Sequence, residues 1–256
     1  MPTSAAFRLP QATAAALEPN DAWLEPLEAL VAQSPSMARW RSFRQEDEVA
    51  PNFVLIGPRG RGMPIRVALI AGLTPEDVVA TTALAKFLVE LDLAPLLAKD
   101  VALFGYPRAN PLPRMPGRRF AEDFWHGSDD PAVRFIEHEL TGNGFDAVIF
   151  LQGNQPISGF QIRTCSRVMA TEIVWPAIEL AQRFVPLAPE PVRLWPAFSA
   201  TANSIFDTRH LRPRPFCLSL CTPRSQSVAN QISAMVFAAK QILQHYRAAV
   251  GHAGRL

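Results

Sequence analysis

Residues 66–77 of the chain read RVALIAGLTPED, and this stretch decides the fold. After Arg66, residues 67–71 form a continuous apolar run, which is typical of a strand that is covered on both faces of a sheet. Gly72 ends the run, and Pro75 stands in the first turn of the helix that follows, where a missing N–H group costs nothing. The stretch therefore predicts a buried strand that leads directly into a helix.

The same alternation of strand and helix continues along the chain. The predicted strands cover residues 53–57, 65–71, 101–106, 145–151 and 216–221, and the predicted helices cover residues 76–91, 131–140, 168–184 and 226–246. Because strands that alternate with helices favour parallel pairing, we predict an α/β fold with a mostly parallel mixed sheet and helices on both faces.

In a sheet of this kind, ligands collect beyond the carboxyl ends of the strands. Those ends are residues 72–77, 106–111, 152–155 and 221–224. The sequence thus predicts that four segments, distant from one another along the chain, converge on one pocket.

Composition limits the class of protein and its partners. With 256 residues, of which 48% are hydrophobic and 19% charged, the chain suits one large α/β domain or two small ones. Its formal net charge of +2 is too small to indicate a nucleic-acid partner, and no apolar run reaches the length of a membrane span. We expect an unknown small molecule or protein as partner, with no nucleic acid and no membrane.

The N-terminal residues and the cysteines suggest the domain organisation and the cellular location of the protein. Residues 1–50 are rich in Ala, Pro and Glu, and we predict that they form an N-terminal extension, packed on the main domain or partly flexible, before an α/β domain over residues 51–256. No signal-peptide pattern is present. The three cysteines, Cys165, Cys217 and Cys221, form no CxxC pair and no disulfide framework, so we expect buried thiols and a cytoplasmic location.

Patterns of known chemistry are incomplete in this chain. The glycine-rich residues 57–62, GPRGRG, lack the Lys and Ser or Thr of a phosphate loop and lead into another strand, so we interpret them as a tight hairpin turn with exposed arginines. None of the five histidines has a Glu or a second His at ligand spacing on a helix. His126, in a loop, is the histidine we place in the pocket, although no partner for acid–base chemistry is identifiable beside it.

Five short segments carry a resemblance to a known family. They read AGLTPED at residues 71–77, PRANP at 107–111, RFAEDF at 119–124, FLQG at 150–153 and LSLC at 218–221. In this order and spacing, over about residues 50–248, the chain resembles the zinc carboxypeptidase superfamily, in particular its succinylglutamate desuccinylase/aspartoacylase-like branch. The resemblance implies a zinc-carboxypeptidase-like fold, in a family of zinc enzymes that hydrolyse amide bonds.

The resemblance also implies roles for particular positions, where this chain departs from the family. The family binds zinc through His, Glu and His, and the matching positions hold Thr74, Asp77 and Gln152. Thr and Gln are neutral oxygen donors that bind zinc poorly, so we expect degenerate ligand positions and no metal. The general base of the family, a Glu, corresponds to Cys221, and the Asn–Arg pair that grips a substrate carboxylate corresponds to Ala121 and Glu122.

These positions define the predicted pocket and its chemistry. Its lining residues are Thr74, Asp77, Asn110, Glu122, Gln152, Cys221 and His126. Because an Arg of the family is replaced by a Glu, we expect a polar pocket with a slightly negative charge. A cationic or hydrogen-bonding small ligand would suit it better than an acid.

Three functions stay open at this point. The first is a pseudoenzyme: a carboxypeptidase-like protein that has lost zinc binding and hydrolysis and retains a binding or regulatory role, with no catalytic residue and no cofactor unless the ligand positions are assigned wrongly. The second is a metal-dependent or rebuilt hydrolase for an amide bond of an acyl-amino acid or peptide, using Asp77 with Glu76 or Glu122, or Cys221 with His126. The third is a structural or regulatory subunit that recognises another protein through its basic loops and N-terminal segment.

Overall fold

The computed structural model describes residues 23–45, 48–60, 62–74, 76–110, 130–164, 166–167, 170–194, 211 and 214–253. The helices in this part of the chain are α1 (Leu24–Val31), α2 (Val78–Leu93), α3 (Pro131–Asn143), α4 (Trp175–Ala181) and α5 (Val228–Ala253). The strands there are β1 (Met37–Arg39), β2 (Phe43–Gln45), β3 (Glu48–Ala50), β4 (Phe53–Ile56), β5 (Ile65–Ile70), β6 (Val101–Tyr106), β7 (Ala147–Gln155), β8 (Phe160–Thr164), β9 (Leu187–Leu194) and β10 (Phe216–Pro223).

Within the described residues, eight strands form one sheet in the order β1-β4-β6-β5-β7-β10-β8-β9. The central strands β6, β5, β7 and β10 run parallel to one another, and β4 and β8 flank them in the antiparallel direction. Strands β2 and β3 pair only with each other. The predicted class, an α/β fold with a mostly parallel mixed sheet, is confirmed.

Successive residues of the central strands face two different layers of helices. Leu69 and Leu218 face a large core that includes α1, α2, α4 and α5, whereas Ile70 and Cys217 face a smaller core beneath α3. A fully buried large apolar side chain contributes about 1.5–3 kcal/mol, so burial on both faces explains why these strands are continuous apolar runs. The prediction of helices on both faces is confirmed as well.

The predicted helices are present, with shifted ends. Helix α3 begins at Pro131, and the carboxylate of Asp130 accepts the N–H group of Ala132 at 2.8 Å as an N-cap. The helix predicted over residues 168–184 is divided into a π-helical turn, Ala170–Val174, and the short helix α4. Pro176 in the first turn of α4 has no N–H group to donate to the preceding turn, which accounts for the change of helix type there.

The hairpin predicted at residues 57–62 is wrong, because β6 lies between β4 and β5 in the sheet. The loop instead passes close to the residues that precede β6. A Cβ atom on Gly57 would lie 1.8 Å from the carbonyl oxygen of Ala98, and the N–H group of Gly60 donates to the carboxylate of Asp100. The glycine at position 57 therefore serves a close approach between two stretches of backbone rather than a tight turn.

Residues near the N-terminus contribute to the main sheet and its core. Trp23 and Leu27 are buried in the large core, and β1 pairs with β4 at the edge of the sheet. The sequence analysis does not predict strand β1, which is only three residues long. The domain boundary at residue 50 stays a prediction. In the described part of the chain, no helix combines the length and the apolar character needed to cross a membrane.

Candidate functional site

The carboxyl ends of the central strands meet at one edge of the sheet and bring together the residues that we call the strand-exit site: Thr74, Asp77, Asn110, Gln152 and Cys221. The beginning of helix α2 is joined to strand β7 there by a hydrogen bond from the N–H group of Gly153 to the side chain of Asp77. Strands β7 and β10 are joined by the register pair of Gln152 with Cys221.

Asp77 is the N-cap of helix α2, and both of its carboxylate oxygens are engaged. Oδ1 accepts the N–H group of Ala80 at 3.0 Å, and Oδ2 accepts the N–H group of Gly153 at 2.9 Å. Burial raises the pKa of Asp77 from its ordinary 3.8 to about 6, although the two hydrogen bonds act in the opposite direction. The carboxyl group therefore changes charge close to neutral pH.

Two glycines allow the strand exits to approach one another. A Cβ atom on Gly153 would lie 2.6 Å from Oδ1 of Asp77 and 2.6 Å from Cβ of Val79, so only glycine fits against the first turn of α2. Gly72 has a φ angle of +61°, and a Cβ atom there would lie 2.5 Å from the carbonyl oxygen of Pro107. These contacts explain the glycines at the ends of β5 and β7 in structural terms.

Cys221 is a fully buried thiol that is hydrogen-bonded on one face of the sheet. Its Sγ atom lies 3.3 Å from Oε1 of Gln152, to which the thiol donates, and 3.4 Å from Oγ of Ser219. Burial raises the pKa of Cys221, while the positive charge of Arg163 and the hydroxyl of Ser219 lower it. The net effect is to disfavour the thiolate, which is the reactive form of cysteine.

Thr74 and Asn110 occupy the β5 and β6 side of the site. Thr74 is half-buried in the turn before α2, and its carbonyl oxygen accepts the N–H group of Asp77 at 3.0 Å. Asn110 is buried, and its N–H group donates to the carbonyl oxygen of Gly72 at 2.9 Å. The side-chain oxygen Oδ1 of Asn110 accepts no hydrogen bond from the described residues, which is uncommon for a buried polar atom.

Two predicted pocket residues, Glu122 and His126, lie outside the described residues, as does Ala121. Whether they reach the strand-exit site therefore stays a prediction. Among the residues that are described, no three or more His, Cys, Asp or Glu side chains form a group that could hold a metal ion.

A buried glutamine holds the exits of β7 and β10 in place. Oε1 of Gln231, in helix α5, accepts the N–H group of Asn154 at 3.0 Å and the hydroxyl of Thr222 at 2.8 Å. Its Nε2 atom donates to Oδ1 of Asn154 at 3.1 Å and to the carbonyl oxygen of Gln226 at 2.8 Å. Asn154 has a positive φ angle of 52°, so this network stabilises an uncommon backbone conformation beside the site.

The sequence analysis misses Arg163, whose charge acts on Cys221. This arginine lies in β8, opposite Ser219 of β10 in the antiparallel register, and neither β8 nor β9 is predicted. The signal that could have revealed β8 is the alternation of apolar and polar residues in FQIRT, residues 160–164.

The fold is that of zinc-carboxypeptidase-like α/β proteins, as comparison with solved structures shows. A metallo-carboxypeptidase from Burkholderia cenocepacia matches with a TM-score of 0.67 at 14% identity, over 87% of this chain and 68% of that chain. A structure of thrombin activatable fibrinolysis inhibitor matches with a TM-score of 0.68 at 10% identity, over 89% of this chain and 74% of that chain.

A third structure is a metallo-carboxypeptidase from Pseudomonas aeruginosa in complex with (2-guanidinoethylmercapto)succinic acid. It matches with a TM-score of 0.60 at 15% identity, over 86% of this chain and 67% of that chain. No profile of a known protein family matches the sequence, and no curated protein does so. Identities this low establish the zinc-carboxypeptidase-like fold and leave the activity of the chain to be argued from its own residues.

Proposed function

We propose that this chain is a pseudoenzyme with a zinc-carboxypeptidase-like fold, which has lost zinc-dependent amide hydrolysis and binds a small molecule or a protein segment at the strand-exit site. The observation that carries the proposal is the hydrogen bonding of Asp77. A carboxylate ligand directs oxygen lone pairs at its metal, and Asp77 already commits one lone pair of each oxygen to a backbone N–H group, that of Ala80 and that of Gly153. This carboxyl group links helix α2 to strand β7.

The remaining donors do not fit a catalytic zinc ion. Zinc in proteins is bound by imidazole nitrogens, thiolates and carboxylates, and a catalytic site supplies three such ligands. Thr74 and Gln152 offer neutral oxygens, and Oε1 of Gln152 already accepts the thiol of Cys221. Burial raises the pKa of Cys221 and so disfavours the thiolate that could bind zinc. The described residues therefore contain no zinc ligand set.

The buried, reduced thiols of Cys217 and Cys221 support the further proposal of a reducing, cytoplasmic location.

One observation favours the alternative of a rebuilt hydrolase. The pKa of Asp77, about 6, is close to the value that suits a general acid or base near neutral pH. However, both oxygens of Asp77 are held by backbone N–H groups, and its proposed carboxylate partner Glu76 is exposed. We therefore rank this function second, for an amide bond of an acyl-amino acid or peptide.

The proposal is tested by the zinc content of the purified, untagged protein after growth with added zinc. Plasma mass spectrometry is applied before and after incubation with zinc and desalting, and a zinc carboxypeptidase processed in parallel shows that the procedure retains a bound ion. We expect far less than one zinc per chain in both samples. Near-stoichiometric zinc would contradict the proposal and place the hydrolase first.

Hydrolysis is measured on the same samples, with acyl-amino acids and short peptides as substrates. We expect no turnover above that of buffer, with or without zinc. Turnover that disappears in an Asp77→Asn variant but survives a metal chelator would support the rebuilt hydrolase instead. Turnover that the chelator abolishes would indicate a metal enzyme.

A further inference from the structure

Two arginines stand side by side at the edge of the sheet, next to the strand-exit site. Arg163 in β8 and Arg193 in β9 are direct partners in the parallel register of these strands, so their side chains leave the same face. We call them the arginine pair. Like charges directly opposite each other on neighbouring strands repel and destabilise a sheet. Their adjacency concentrates two positive charges at one place on the sheet, with Arg193 exposed and Arg163 half-buried.

The guanidinium group of Arg163 is held in one orientation by its neighbour. Its Nε atom donates to Oε1 of Gln161 at 3.0 Å, and Nε2 of Gln161 donates to the carbonyl oxygen of Glu190 at 3.0 Å. Gln161 is itself buried. Because Nε is engaged, the end of the guanidinium that carries the two Nη atoms is the part left to bind a further group.

In the part of the chain that the structure describes, the groups in contact with Arg163 are neutral hydrogen-bonding groups. Ser219 lies directly opposite Arg163 on β10, and its hydroxyl lies 3.4 Å from the thiol of Cys221. Among the described residues, no carboxylate forms an ion pair with either member of the arginine pair. Arg163 is half-buried, so part of its hydration is already lost.

We infer that the arginine pair binds an oxyanion, a carboxylate or phosphate group carried by a small ligand of the strand-exit site. The two Nη atoms of Arg163 match the spacing of two oxygens in such a group, and the second positive charge of Arg193 adds attraction at longer range. The bound anion removes the repulsion between the two arginines.

This inference rests on the proposed binding function and names its ligand class. It also changes the expected preference of the pocket. The negative character predicted from the sequence comes from Glu122 and takes no account of Arg163 and Arg193. An acidic group is therefore expected at the β8 and β9 side of the site, while hydrogen-bond donors of the same ligand suit the β6 side, where Oδ1 of Asn110 has no partner among the described residues.

The test is the stabilisation of the full chain by simple oxyanions. The melting temperature and the heat of binding are measured with succinate, citrate and inorganic phosphate at about 10 mM, against sodium chloride of equal ionic strength. We expect at least one oxyanion to raise the melting temperature where chloride does not. The comparison of carboxylates with phosphate identifies which source of the oxyanion fits.

Variants then assign the effect to the arginine pair. Arg163→Gln is expected to weaken binding of the oxyanion by about tenfold or more, because a charge-assisted pair of hydrogen bonds is lost. Arg163→Lys is expected to retain part of the affinity and Arg193→Gln most of it. The matched control is Arg183→Gln, which removes an equal charge from an exposed arginine beside α4, on the other face of the sheet. It is expected to bind as the parent does.

A measurement on the unaltered protein tests the inference even where a variant does not fold. Arginine-specific labelling with a phenylglyoxal reagent, read by peptide mass spectrometry, is expected to slow at Arg163 and Arg193 when the oxyanion is present, and not at Arg183. Equal labelling with and without oxyanions, or equal binding by Arg163→Gln, would overturn the inference. So would the absence of any stabilisation beyond chloride. Zinc content reports separately on the proposed function, so the two failures are distinguishable.

Discussion

The N–H group of Gly153 donates a hydrogen bond to Oδ2 of Asp77 across 2.9 Å, although the two residues are 76 positions apart in the chain. Asp77 also caps helix α2, so one carboxyl group connects the end of β7 to the beginning of that helix. Asp77, which the sequence resemblance assigns to a metal-ligand position, thus has a structural role in this chain. A substitution of Asp77 or Gly153 is therefore expected to change the free energy of unfolding.

Gly153→Ala is expected to destabilise the protein by about 1–3 kcal/mol, because the added methyl group would lie 2.6 Å from both Oδ1 of Asp77 and Cβ of Val79. Urea unfolding followed by circular dichroism measures the change. The matched control is Gly142→Ala, in helix α3, where an added Cβ atom would meet nothing within 4 Å. That variant is expected to gain about 0.5–1 kcal/mol from helix propensity. Equal free energies of unfolding for the two variants would show that a methyl group at position 153 is accommodated without cost.

The pKa of Asp77 predicts a pH dependence of stability. The folded pKa of about 6 exceeds the ordinary 3.8, so between these values the folded state binds more protons than the unfolded state, and stability falls as pH rises. A shift of this size corresponds to about 3 kcal/mol. The contribution is complete below about pH 4 and is lost by about pH 7.

Asp77→Asn isolates that contribution, because asparagine keeps an acceptor for the N–H group of Ala80 but does not ionise. The free energy of unfolding is measured for both proteins at several pH values, and the parent-minus-variant difference removes the effects of all other groups. This difference is expected to decrease by about 3 kcal/mol as pH rises from about 4 to about 7. A difference that does not change with pH would show that Asp77 titrates at its ordinary value.

The central fold could be predicted because it depends on burial on both faces. Residues 65–71 and 216–221 are continuous apolar runs, and their strands lie between two layers of helices. Strands β8 and β9 lie at the edge of the sheet and mix polar with apolar residues, so apolar runs do not reveal them. The order of strands, which places β6 between β4 and β5, depends on long-range packing, and the predicted hairpin is wrong for that reason.

The candidate site was predictable as a location, because the carboxyl ends of parallel strands share one edge. Its hydrogen bonds were not. The pairing of Asp77 with Gly153 and that of Gln152 with Cys221 join distant segments of the chain, and no local spacing encodes them. The arginine pair was missed because its members become neighbours only through the register of two strands that were themselves not predicted.

A buried acid on α3 is expected to be a major contributor to stability. Oε2 of Glu139 accepts hydrogen bonds from Nε1 of Trp40 at 2.7 Å and from the hydroxyl of Tyr106 at 3.0 Å, and Oε1 accepts from Nη1 of Arg41 at 3.2 Å. Burial and the charge of Glu139 raise the pKa of Tyr106, which keeps its hydroxyl a donor. Glu139→Leu leaves Trp40 and Tyr106 without this acceptor and is expected to cost about 3 kcal/mol or more.

The measurement for Glu139 is urea unfolding monitored by tryptophan fluorescence, which also reports on the surroundings of Trp40. Glu179→Gln, at an exposed position of α4, is the control and is expected to stay within about 0.5 kcal/mol of the parent. Glu139→Gln is expected to fall between the two, because its amide keeps one acceptor oxygen but turns an NH2 group toward Arg41 or toward Trp40. A Glu139→Leu variant as stable as the control would show that the network contributes nothing.

The thiol of Cys221 is the nucleophile in one of the two forms of the rebuilt-hydrolase alternative, the form that pairs it with His126. Burial raises its pKa, and both Cys221 and Cys217 are fully buried on the same strand, so neither is expected to react with iodoacetamide in the folded protein near neutral pH. Peptide mass spectrometry measures the labelling of each, and Cys217 provides an internal reference for a buried, unreactive thiol. After unfolding, the two are expected to react at similar rates. Rapid labelling of Cys221 alone in the folded state would indicate an activated thiolate and favour the hydrolase over the pseudoenzyme.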